Sequence, residues 1–200
     1  MENINILAKE GYKSIIITLG IALVFDFIFG FDCLAIILYL LTIAFIFMYR
    51  NPERTVHTNQ NEFLSPVDGK INSIDIKDGK KFVYIDVSLC NVHLLRSPID
   101  ADLHVIDHVH GLNLPAFKYK AKKLNERMTL DFGKIKVNLL SGFFNRSLNF
   151  KDITSLSKGE RVGIFLNGSV VLELSNDEKV FVKIGDKVKA GETIIGAFNS

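Results

Sequence analysis

The chain has 200 residues and a mass of 22.5 kDa, with 48% apolar and 23% charged residues, which excludes disorder as its main state. A net charge of +2 is too small to point to nucleic acid as a partner. Two cysteines, Cys33 and Cys90, cannot build a disulfide framework and favour a reducing compartment. The mean hydropathy of +0.23 is high for such a chain, and the first fifty residues account for it.

From Ser14 to Tyr49 the only charges are Asp26 and Asp32. Two apolar runs, Ile15 to Gly30 and Cys33 to Tyr49, are separated by a Gly30-Phe31-Asp32 turn signal. Each run is near the lower limit of about 17 residues for crossing a bilayer. Lys9 and Lys13 precede the pair and Arg50 and Arg54 follow it, so both ends favour the cytoplasmic side and the pair reads as a helical membrane hairpin. A cleaved signal peptide fits less well, because no small-residue cleavage site follows Tyr49. Short runs and a deep Asp26 leave a re-entrant or interfacial hairpin beside a spanning one. The hairpin comprises residues 1–50.

Composition changes abruptly at Arg50-Asn-Pro-Glu-Arg54, and residues 51–200 carry 21 basic and 18 acidic side chains. Alternating runs predict half-buried strands at Lys81–Val87, Lys134–Leu140, Ser169–Leu174 and Lys179–Ile184. Asp68-Gly69, Asp78-Gly79 and Lys158-Gly159 are turn signals. Ala121 to Arg127 and Phe150 to Leu156 are the two places where a short helix fits. The fold expectation is a mainly β (α+β) body behind an α-helical membrane hairpin. Ser65-Pro-Val-Asp-Gly-Lys-Ile71 and the segment from Val182 to Gly196 resemble the two halves of biotinyl/lipoyl-type barrels. No swivel lysine motif lies between them, so a carrier function is not expected.

Five ordered segments carry the chemistry: the hairpin with Arg50–Arg54, Ser65–Gly69, Val92-His-Leu-Leu-Arg-Ser-Pro-Ile-Asp-Ala101, Asn125-Glu-Arg127, and Phe165-Leu-Asn-Gly-Ser-Val-Val171. Together they resemble the phosphatidylserine decarboxylases, in particular the short, prokaryotic-type proenzymes. The resemblance implies a catalytic body, residues 51–200, that cuts itself between Gly168 and Ser169. The products are a β chain of residues 1–168 and an α chain of residues 169–200 that stay together as a heterodimer. It further implies a covalent pyruvoyl cofactor made from Ser169, an Asp68–His93–Ser169 processing triad, and a phospholipid substrate at the cytoplasmic side of the cell (inner) membrane. The pyruvoyl carbonyl would take the serine headgroup amine as a Schiff base and release phosphatidylethanolamine.

The residue types suit this chemistry. Loss of carbon dioxide from an α-amino acid leaves a carbanion, which needs an electron sink such as pyridoxal phosphate or a pyruvoyl group. A serine hydroxyl needs a general base within hydrogen-bond reach, and histidine titrates near neutral pH. Glycine before the nucleophile admits strained backbone and close approach. Asp100 is a rival to Asp68, being close to His93 in sequence.

Other features have plainer readings. His104, His108 and His110 with Asp107 raise a metal site, but no cysteine or glutamate completes the set nearby, so none is expected. Lys118, Lys120, Lys122, Lys123 and Arg127 suit either an anionic lipid surface or a solvated face. Ala101, Val170 and Phe144-Asn-Arg146 depart from the family pattern and bear on the substrate pocket more than on cleavage. The alternatives are a non-catalytic, membrane-anchored β-barrel binding module or degenerate decarboxylase, an archaetidylserine decarboxylase, and a serine lipid hydrolase. Asn167 and Val171 argue against the last, because they stand where a nucleophile elbow needs glycine.

Overall fold

A computed structural model describes residues 6–28, 30, 32–112, 114, 124–143, 145 and 148–199. The chain divides into two compact units, Met1–Glu53 and Arg54–Ser200. Most of the lysine cluster and of Phe144-Asn-Arg146 falls outside the described residues, as do residues 121–123 of the short helix expected over Ala121–Arg127. Its last residues do not continue a helix, since Asn125 bridges to Leu112 and Arg127 begins a strand.

In the first unit, α1 (Gly11–Phe27) and α2 (Asp32–Met48) are 17 residues each. They pack as an antiparallel pair. The Thr42 hydroxyl donates to Thr18 Oγ1 at 3.0 Å and the Tyr39 hydroxyl to Asp26 Oδ2 at 3.0 Å. The open ends are clipped by Ala8 N–H to Tyr49 O (2.8 Å) and Asn51 N–H to Ile6 O (2.7 Å). Asp26 is thus hydrogen-bonded within the pair. Apolar side chains such as Ile16, Ile17, Ile36, Ile37, Leu40 and Ile43 remain exposed. No helix among the described residues is long and apolar enough to cross a membrane.

The second unit is built from β1 (Glu62–Leu64), β2 (Gly69–Lys77), β3 (Lys80–Val87), β4 (Leu94–Arg96), β5 (Ala101–Val109), β6 (Arg127–Asp131), β7 (Lys136–Ser141), β8 (Ile153–Leu156), β9 (Arg161–Ile164), β10 (Gly168–Ser175), β11 (Lys179–Val180), β12 (Lys187–Val188) and β13 (Ile194–Ala197). Eight strands form one sheet in the order β12-β2-β3-β10-β7-β6-β5-β8, flanked by β1-β13-β11 and β4-β9. The mainly β expectation holds. Alternation explains the main sheet, since Val170, Leu172 and Leu174 of β10, Val83 and Ile85 of β3, and Val137 and Leu139 of β7 all enter one buried core. At full burial each such aliphatic side chain stabilises the fold by about 1.5–3 kcal/mol. The hairpin between β2 and β3 turns at Asp78-Gly79, both with positive φ (52° and 70°), as such a pair favours.

Two local expectations are corrected. Phe150 to Leu156 holds a strand, β8, rather than a helix. The Asp152 carboxylate takes the Val105 N–H (2.8 Å) and the Asp102 carboxylate takes the Ser155 N–H (2.6 Å), so edge pairing to β5 supplies partners a single helical turn would lack. The Lys179–Ile184 strand stops after Val180. Beyond it the Lys183 N–H caps onto Asp186 Oδ2 at 2.8 Å and the chain turns through Gly185. The two segments likened to barrel halves do meet: Lys187 pairs with Lys70 and Val188 with Gly69, and Ser65 N–H bonds to Thr193 O and Gly191 N–H to Ser65 O, each at 2.8 Å.

Candidate active site

Ser169 is the second residue of β10, at the middle of the large sheet. Because Val170 points into the core, Ser169 points to the opposite, open face. Its hydroxyl donates to Asp86 Oδ1 at 3.0 Å, and Asp86 is its register partner on β3. A groove of about 710 Å³ opens here, with Asp75, Tyr84, Asp86, Asn138, Asn167 and Ser169 among its walls. The register also aligns Lys70, Asp86, Ser169, Leu140 and Arg127 in one row across five strands. Strands lie about 4.8 Å apart, so the exposed Lys70 and Arg127 stand roughly 10 Å to either side of Ser169.

Gly168 has φ +136°, where side chains other than glycine are strained. A Cβ there would come 2.1 Å from Leu140 O and 2.9 Å from Gly142 N. The residues leading to it are pinned. The Asn167 carbonyl accepts from Gly142 N–H at 2.9 Å and from the Asn145 side-chain amide, whose oxygen in turn accepts the Leu166 N–H at 2.8 Å. Asn145 is only 4% exposed, so this bracing sits in a place where broken bonds would leave buried polar groups unsatisfied.

The other sequence candidates lie elsewhere in the hydrogen-bond pattern. His93 is 2% exposed, with Nε2 3.0 Å from Leu89 O, and its main-chain oxygen takes the Phe165 N–H at 2.8 Å. Asp68 is buried and accepts two bonds from Arg54 Nη2 (3.0 and 2.8 Å) and one from Ala190 N–H (2.8 Å). Asp100 is exposed and accepts the Lys158 N–H at 2.8 Å. The Ser169 hydroxyl is thus engaged by Asp86, the Asp68 carboxylate by Arg54 and Ala190, and His93 Nε2 by Leu89 O. Burial, and then the nearby Arg54 guanidinium, holds Arg96 below the usual arginine range, while Asp68 opposes the shift. Burial likewise lowers the Lys158 ammonium.

Asp86 is added by the strand pairing alone, while Asn145 and Arg54 lie in segments marked in the sequence, Phe144-Asn-Arg146 and Arg50–Arg54, whose partners the sequence does not reveal. Alternation through Lys81–Val87 places Asp86 opposite the core-facing Ile85 and Val87, but nothing local says which strand it will face. Arg54 belongs both to the positive flank of the hairpin and to the Arg50–Arg54 segment of the resemblance, and its partner Asp68 is identified only by the fold.

The profile described as phosphatidylserine decarboxylase matches residues 41–196. The chain belongs to the phosphatidylserine decarboxylase family, whose activity is that of a carboxy-lyase in phospholipid biosynthesis. A phosphatidylserine decarboxylase proenzyme of Paraburkholderia phymatum is 30% identical over 95% of this chain and 96% of its own length. One from Streptomyces coelicolor is 35% identical over 78% and 73%. A Methanococcoides burtonii protein provisionally named archaetidylserine decarboxylase proenzyme is 32% identical over 94% and 95%. No solved structure matches.

Proposed function

We propose that the chain is a proenzyme that cuts itself between Gly168 and Ser169 and decarboxylates a phospholipid with a serine headgroup. The observation that carries this reading is the glycine forced into positive φ, with no room for a Cβ, directly before a serine whose hydroxyl faces an open groove. Ser169 Oγ bonds to the Gly168 carbonyl carbon and the peptide C–N bond breaks, leaving an ester and a free amine. Loss of the Ser169 α-proton and cleavage of the Cβ–O bond releases the Gly168 carboxylate and leaves dehydroalanine. Water then replaces its nitrogen, which departs as ammonia, and residue 169 becomes a pyruvoyl group that caps Val170. The Gly168 cradle and the half-buried, groove-facing position of Ser169 fit that group. When present, it supplies the electron-withdrawing carbonyl that eases loss of an α-carboxylate.

The chain's own side chains do the rest. Asp86 holds the Ser169 hydroxyl proton and is the acceptor at hand in the intact chain. Lys70 and Arg127 bracket the serine with positive charge, suited to the phosphate and carboxylate of a zwitterionic headgroup. Apolar walls such as Val171 and Leu140 limit water at the reacting carbon. The family triad offers a second assignment, in which His93 takes the proton and Asp68 orients it. With both ring nitrogens committed to Ser169 and Asp68, that assignment requires His93 Nε2 to leave Leu89 O, while Asp68 keeps acceptor capacity beside Arg54 and Ala190.

The hairpin of α1 and α2 is read as the membrane attachment that keeps the groove beside its lipid, on the cytoplasmic side of the cell (inner) membrane. At 1.5 Å per residue each helix is about 25 Å long, short of a hydrocarbon core of about 30 Å, which favours a re-entrant or interfacial hairpin. Relatives named for phosphatidylserine and for archaetidylserine both match, so the headgroup, common to the two, is the part of the substrate the proposal commits to.

Mass measurement of purified protein tests the cleavage. Fragments 1–168 and 169–200 are expected, the small one carrying a carbonyl that borohydride reduces, and Ser169→Ala is expected to stay whole. A cut Ser169→Ala chain, or intact wild type that releases no carbon dioxide from serine phospholipid, overturns the reading. Asp86→Asn and His93→Ala separate the two base assignments. The variant lacking the true base should process about 10²–10⁴-fold more slowly on a timed denaturing gel.

A further inference from the structure

β5 carries His108, His110 follows its end, and Glu126 stands directly before β6. His108 is the register partner of Met128, so Glu126, two residues before Met128, falls on the same face as His108 and His110. The three side chains converge. His108 Nε2 lies 2.7 Å and His110 Nδ1 3.7 Å from Glu126 Oε1, and the two imidazole centroids are 4.1 Å apart. One ligand atom from each residue lies within 4.8 Å of the others. Glu126 has a side chain only 5% exposed, and its second oxygen is held by the Leu148 N–H at 3.1 Å. A buried carboxylate so placed, with one oxygen fixed by Leu148 and the other shared by His108 and near His110, is suited to hold a cation between the three side chains.

We propose that His108, His110 and Glu126 bind one zinc ion. Two imidazoles and a carboxylate suit zinc, and the orienting bond to Leu148 is the outer support such ligands commonly have. Around a tetrahedral zinc the ligand atoms stand about 3.4 Å apart, given zinc–ligand lengths near 2.1 Å. The His110 separation is already close to this, and the His108 contact opens by roughly 0.7 Å on binding. His110 is 80% exposed, so it can swing to admit the ion, and the fourth position is left to water.

The site lies away from the Ser169 hydroxyl but is tied to the scissile region through the main chain. Glu126 O accepts the Ser141 N–H and the Asn125 amide donates to Ser141 O, both at 2.9 Å, and Ser141 is the register partner of Gly168. The ion is therefore a clamp on the strands that frame Gly168 and supplies none of the carbonyl chemistry.

The test is titration of the full-length, chelator-treated chain in detergent with zinc chloride, by calorimetry and by thermal unfolding. Wild type is expected to bind one ion and to melt higher with zinc than without. His110→Gln is expected to bind at least about tenfold more weakly. His104→Gln is the control, because His104 faces Asp152 at 3.7 Å instead, and is expected to match wild type. Equal metal-free melting of His110→Gln and wild type establishes that the variant folds. Absence of saturable binding, equal binding by the His108→Gln/His110→Gln variant, or equal loss in His104→Gln overturns the proposal.

Discussion

Gly168 is where the backbone demands most. Its φ of +136° and the 2.1 Å approach of Leu140 O to any added Cβ act together, so Gly168→Ala must shift either β7 or its own main chain. Strain of this kind costs about 1–3 kcal/mol and moves the carbonyl that Ser169 attacks. We expect Gly168→Ala to fold with a lowered melting temperature and to remain uncut over a time in which wild type is fully processed, read on a denaturing gel. Processing at the wild-type rate would show that the tight approach is not needed. The neighbouring Asp86 illustrates why residue type alone was insufficient. An aspartate on the polar side of an alternating strand is unremarkable until the register sets it against Ser169.

At the scale of elements, the pairing of β12 with β2 brings the loop around Ala190 over Asp68, and Arg54 closes the other side. Both side chains of this ion pair are nearly buried, 8% and 11% exposed. Removing one partner of a buried pair leaves an uncompensated charge and costs about 3–5 kcal/mol. Arg54→Ala should therefore lower the melting temperature by on the order of 10 °C. Arg54→Ala/Asp68→Asn should recover part of that loss, since the stranded charge is gone. If the single variant melts like wild type, the pair is not structural, and Asp68 is free to act on His93 as the resemblance implies. The strands themselves were legible wherever alternation was strong, as in β3 and β10. The helix read into Phe150–Leu156 and the long strand read into Lys179–Ile184 failed because short segments are decided by their neighbours. The Asp102 carboxylate took the Ser155 N–H and the Asp186 carboxylate the Lys183 N–H, while Asp152 reached out to the Val105 N–H of β5.

For the whole molecule, the buried core belongs to residues of the second unit, from Phe63 to Ile195. A chain beginning at Arg54 should then fold without the helical pair and still cut itself, checked by circular dichroism and mass. It should lose most turnover on lipid vesicles while acting on detergent-dispersed substrate. A truncated chain that fails to fold would make the helices part of the body's stability.

Composition and order along the chain were enough to tell an apolar helical pair from a β-rich body, because hydropathy and alternation are local properties. Gly168 and Ser169, by contrast, stood out only through the resemblance of five ordered segments to a family, a glycine–serine step alone being uninformative. The tertiary structure decided which side chains meet. It set Asp86 on Ser169, Arg54 on Asp68 and Glu126 on two histidines. Each pairing depends on strand register or on loops closing over many residues, and a register shift of one residue would send Asp86, Ser169 or His108 to the opposite face of its sheet.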